Sequence, residues 1–213
     1  MSFIAIISLL FCIIALLSLA ALHFLSPEFH PGWRMISEYA MGKYKKVLTV
    51  FFVLWGSGTV LSAILLWTIS PTIAAKIGTI LIFVSGIGAI MGGLFDLKHP
   101  LHGLSFMLGV PTQLIGSLLV AYPLVGLPVW ADYRQPILLV THLNWISCVL
   151  MGGSMALLFS GFKKAGYQIG KDAPAPEKLP EGVIGVSGYA NRFLVLCYIA
   201  WVMIIDYVYL ISV

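Results

Sequence analysis

Long apolar runs alternate with polar gaps along the chain, at residues 2–25, 47–69, 73–95, 104–126, 137–162 and 193–213. Each run is too long for a strand, and none alternates with a period of two. A helix needs about 20 apolar residues to cross roughly 30 Å of hydrocarbon. Backbone groups in lipid must find their partners within the segment, so such runs are helices. The pattern predicts an all-α integral membrane protein, a single domain of six transmembrane helices over residues 1–213. The first run lacks a basic start, and Ala21-Leu22-His23-Phe24-Leu25 is a poor cleavage site. It is therefore read as the first helix and not as a signal peptide.

The gaps differ in character. Residues 26–46 open with Pro27 and Pro31, and Trp33, Ile36 and Ala40 share one helical face. Arg34 and Glu38 stand four apart on another face, so a short interfacial helix is expected. Ser70-Pro71-Thr72 is a tight turn. Residues 171–181 hold Pro174, Pro176 and Pro180 among charges and read as a mobile stretch. Pro111 falls inside the fourth run beside Thr112 and Gln113, where it predicts a kink facing a polar cavity.

Composition agrees with the pattern: 60% of the 213 residues are hydrophobic and 9% charged, too few charges to keep a soluble domain dispersed. The basic residues orient the bundle. Arg34, Lys43, Lys45, Lys46, Lys98, Lys163, Lys164, Lys171, Lys178 and Arg192 fall in alternate gaps, against Lys76 and Arg134 in the others. The positive-inside rule places the ten in the cytoplasm and both termini outside, as in a multi-pass protein of the cell inner (cytoplasmic) membrane. The net charge of +4 is then a topological signal, and no nucleic-acid partner is expected. Cys12, Cys148 and Cys197 lie inside spans without ligand-like spacing. Glycines crowd the third run (Gly86, Gly88, Gly92, Gly93) and recur as Gly56-Ser57-Gly58 and Gly152-Gly153. They permit close helix packing, a lipid-binding groove or a homo-oligomer.

Two polar groups carry the candidate chemistry. At the basic end, Arg34, Ser37, Glu38, Asp96, His99, His102 and Arg192 share one membrane level. Arg34 and Arg192, with Ser37 and His99, suit a lipid headgroup. His102 with Glu38 or Asp96 suits general base catalysis. Asp96, His99 and His102 are candidate zinc ligands, although their spacing matches no zinc signature and no cofactor is expected. A structural ion-pair network is the alternative. Histidines do not face one another at mid-helix as a two-haem protein requires. At the opposite end, His142 and Asp206 fall at similar depth, with Asn144 and Tyr209 near that level. They predict either a buried clasp or a proton or cation site.

Pro31-Gly32, Ile36-Ser37-Glu38, Gly93-Leu94-Phe95-Asp96, Leu101-His102-Gly103 and Gly188 with Arg192 and Trp201 follow one another in an order that resembles a known family. It is the six-helix membrane family of domain of unknown function 998. The resemblance spans the chain. It implies six membrane helices and no settled activity, and it marks Ser37, Glu38, Asp96, His102 and Arg192 as recurrent polar positions. The family pattern has a proline after Gly-x-Phe and its Asp further along, whereas here Asp96 follows Phe95 directly. The leading expectation is a membrane protein that binds or moves a lipid or other amphiphile at the cytoplasmic face. The alternatives are an intramembrane lipid hydrolase or transferase and a structural assembly subunit.

Overall fold

The computed structural model describes residues 1–167, 176 and 178–212. The proline-rich stretch expected to be mobile lies largely outside them. All regular structure among the described residues is helical: α1 (Ser2–Leu25), α2 (Lys45–Ile69), α3 (Ile73–Leu94), α4 (His102–Leu124), α5 (Arg134–Lys164) and α6 (Ser187–Ser212), with 3-10 turns at Ile36–Met41 and Pro128–Tyr133. All six α-helices are long and apolar enough to cross a membrane. Each packs on its neighbour in sequence, and α6 returns to α1, closing a ring that α2 and α6 also bridge. The most enclosed helix is α6, and Tyr198, Trp201 and Ile205 lie on its fully buried face.

The hydrophobic pattern locates the helices, and the ends differ for local reasons. Starting at Ser187, α6 begins well before the apolar run at 193. Helix starts leave N–H groups without intrahelical partners. Here Gly32 O accepts the N–H of Gly188 at 2.8 Å and of Tyr189 at 3.2 Å, and the Ser187 hydroxyl donates to Trp33 O at 3.0 Å. The first gap therefore caps the last helix. Helix α5 runs to Lys163 and Lys164, two cations that suit the negative end of a helix. The short helix expected over 33–40 is a 3-10 turn over Ile36–Met41. With three residues per turn, positions 36 and 39 eclipse, so Ile36 and Tyr39 are the buried pair and Ala40 is only partly covered.

Glycines of α3 set the spacing on both sides. A Cβ on Gly86 would meet Gly56 O of α2 at 2.7 Å, and one on Gly78 would meet Gly116 O of α4 at 2.8 Å. Gly88 lies against the backbone of Gly109 in the same way. These glycines are used within the chain. Gly152 and Gly153 on α5 meet nothing within 4 Å and face outward. Helix α4 continues through Pro111. Below it, the Gln113 amide donates to Tyr198 O at 2.8 Å and accepts from the Ser85 hydroxyl at 3.2 Å. The Tyr198 hydroxyl donates to Val110 O at 2.9 Å. This polar clasp joins α3, α4 and α6 at mid-membrane.

Candidate functional site

Arg192 is buried on the first turns of α6 and donates to five acceptors. Its Nε reaches His23 Nε2 at 2.7 Å. Nη1 reaches the carbonyls of Pro31, Arg34 and Gly188 at 3.1, 2.8 and 3.0 Å. Nη2 reaches the Tyr39 hydroxyl at 3.0 Å. Gly188 leaves no room beside this knot: a Cβ there would meet Arg34 O at 2.7 Å. His23 is thereby fixed, because its Nδ1 pairs with Leu19 O at 2.7 Å. That pairing assigns the hydrogen to Nδ1 and leaves Nε2 to accept from arginine. The guanidinium predicted to meet a headgroup is thus occupied in tying the first gap to α6.

Arg34 and Glu38 form the expected pair at 2.9 Å, with side chains only 12% and 13% exposed. Arg34 also lies over Trp33, 4.8 Å from the ring centroid. The Met35 N–H donates to Glu38 at 2.8 Å. Burial works against these partners and prevails, so the Glu38 carboxyl sits above its ordinary range despite Met35, Arg34 and Arg192. Asp96 is placed elsewhere. It accepts from Lys45 at 2.8 Å with both side chains substantially exposed, and that lysine holds its carboxyl below the usual range. His99 stacks on Phe95 with ring centroids 4.3 Å apart. His102 Nδ1 donates to Phe95 O at 2.9 Å, which leaves Nε2 as the free acceptor. His102, Glu38 and Asp96 make no hydrogen bond to one another, so no relay joins the three predicted catalytic residues. The described residues hold no group of three or more His, Cys, Asp or Glu placed to bind a metal.

What gathers around His102 is a cavity of about 100 Å³. It occupies the wedge between α4 and α6, which do not pack along their length. Ile36, Ser37 and Asn191 close it at the basic end, with His102 and Ser105 beside them, while Phe52, Trp55, Phe106, Val110 and Leu194 line its depth. Ser85 and Val110, both in the mid-membrane clasp, stand at its floor. Asn191 is positioned by the Ile36 N–H, which donates to its Oδ1 at 2.9 Å. The indole N–H of Trp55 is buried without a partner. Trp55 and Asn191 were missed from sequence. A tryptophan ten residues into a span was the available signal, since its N–H needs an acceptor when buried.

The second predicted pair does not form. His142 pairs with the Tyr122 hydroxyl at 3.1 Å and accepts from the Trp145 indole at 3.0 Å, on a partly exposed face. Asp206 is fully buried on the side of α6 toward α1 and α2, with Ser8 and Ser62 as its polar neighbours. Neither hydroxyl is hydrogen-bonded to Asp206, and both carboxyl oxygens lack partners. Asn144 is likewise buried with its amide unpaired. His142 and Asp206 look in different directions.

No match was found among curated proteins or among solved structures. The converging motifs nonetheless have a family counterpart, matched over residues 9–205 and described as "Protein of unknown function (DUF998)". The match takes in Pro31-Gly32, Glu38, the Phe95–His102 turn, Gly188 and Arg192, and with six membrane-length helices around them the chain belongs to the DUF998 family.

Proposed function

We propose that the chain binds an amphiphile in the wedge between α4 and α6. The observation that supports this reading is the lining of the cavity: Ser37, His102 and Asn191 at the basic end, then largely aromatic and aliphatic walls down to Ser85 at the clasp. An amphiphile has the same order of polarity along its length. Since neither Arg34 nor Arg192 lines the cavity, the wedge favours an uncharged headgroup over a phosphate. His102 Nε2 accepts and the Ser37 hydroxyl both donates and accepts, which suits a hydroxyl-bearing headgroup.

The test is mass spectrometry of lipid retained through detergent purification, with affinity measured by quenching of Trp55 with brominated analogues. His102→Ala removes one hydrogen bond of roughly 1 kcal/mol and is expected to weaken binding about five- to tenfold. Leu194→Trp fills the wedge and is expected to abolish retention in protein that still unfolds cooperatively. Unchanged retention in both variants would refute the reading.

A further inference from the structure

Asp206 poses a problem that the wedge does not address. It lies in the half of the bundle away from the basic gaps, six residues before the end of α6 at Ser212. Ser8 lies six residues after the start of α1, and Ser62 seven before the end of α2. At 1.5 Å per residue each is about 10 Å inside its helix end, so the three share one level. The three helices contact one another, and all three side chains are fully buried. The Ser8 hydroxyl donates to Gly58 O at 2.8 Å, while the Ser62 hydroxyl and both Asp206 oxygens have no partner.

Among the described residues no cation pairs with this carboxyl. The two basic residues at that end, Lys76 and Arg134, are exposed. From α1 the titratable neighbour is the Cys12 thiol, and α2 presents only Ser62. From α5, His142 is held by Tyr122 and Trp145. Of the 3-10 turn at Pro128–Tyr133, Asp132 is exposed and Tyr133 partly buried. A bare carboxylate in hydrocarbon is costly and calls for a positive charge. Its two oxygens and the neighbouring Ser8 and Ser62 hydroxyls are hard donors of the kind that hold a small cation.

We propose that Asp206, Ser8 and Ser62 form an intramembrane site for one small cation, either a proton or a sodium-sized ion. The site uses the family chain's own helix junction and is independent of the amphiphile wedge, from which the Ser85–Gln113–Tyr198 clasp separates it. Two measurements on the full chain in lipid nanodiscs distinguish the occupants. Thermal unfolding is followed with sodium chloride against choline chloride at equal ionic strength, and the infrared band of a protonated carboxyl is followed against pH. A sodium-dependent rise in the unfolding midpoint, lost in Asp206→Asn, assigns the metal ion. A carboxyl band that fades as pH rises and is missing from Asp206→Asn assigns the proton. Ser62→Ala keeps the carboxyl and is expected to move the sodium or proton midpoint at least threefold, so the test survives if the Asn variant does not fold. No sodium response together with a band that never titrates, or no band at all, would overturn the proposal.

Discussion

A guanidinium with five acceptors cannot be exchanged for another cation. An ammonium has three donors around one atom and no planar fork, so in Arg192→Lys at least two of the acceptors held by Nε, Nη1 and Nη2 lose their donor. Hydrogen bonds to a charged group contribute about 1.5–3 kcal/mol each. The variant is expected to lose on the order of 3 kcal/mol in detergent unfolding, and a loss below about 0.5 kcal/mol would show that the knot is dispensable. Glu38 gives a pH dependence. Because burial raises its carboxyl above the ordinary value, the folded state holds the proton more tightly than the unfolded chain does. The stability from this group is complete at pH below the ordinary carboxylate range and is lost as pH rises through the raised value. Glu38→Gln is expected to flatten that part of the stability–pH curve, and an unaltered slope would assign it to another group.

Helices show what periodicity and hydropathy can reach. The six apolar runs matched six helices because length and hydropathy alone fix a membrane span. The early start of α6 was illegible, since its first N–H groups are satisfied by Gly32, a residue more than 150 positions away. The misdirected His142–Asp206 pairing has a similar origin. Counting residues from a helix end gives depth, whereas the facing partner depends on how each helix is rotated, which packing decides. The wedge was legible in part: Ser37 and His102 were selected by charge and polarity, but its walls are ordinary apolar side chains. The glycine contacts make a sharp prediction at this scale. Gly88→Ala pushes a methyl group into the backbone of Gly109, which cannot swing aside as a side chain does. A cost of about 1–3 kcal/mol is expected, against less than about 0.5 kcal/mol for Gly103→Ala, where nothing lies within 4 Å. Equal effects would mean that α3 and α4 have slack between them.

For the whole molecule, the order of the family motifs along the chain becomes a place. Pro31-Gly32, Glu38, Gly188 and Arg192 meet in one knot at the basic end, and the Phe95–His102 turn lies beside the wedge that this knot helps to close. With ten basic residues in alternate gaps, the positive-inside rule predicts that this end faces the cytoplasm. A periplasmic-active reporter fused after Ser212 is then expected to be active and a cytoplasm-active one silent; the reverse would invert the bundle. The paired glycines have a mechanical meaning too. With no free space between backbones, α2, α3 and α4 make a stiff plate, since close-packed surfaces yield by discrete steps and do not stretch. Its seam with α6 is held by the Gln113 and Tyr198 hydrogen bonds. The face of the plate toward α6 is the one that carries the wedge, and there side-chain hydrogen bonds, not backbone contact, set the spacing.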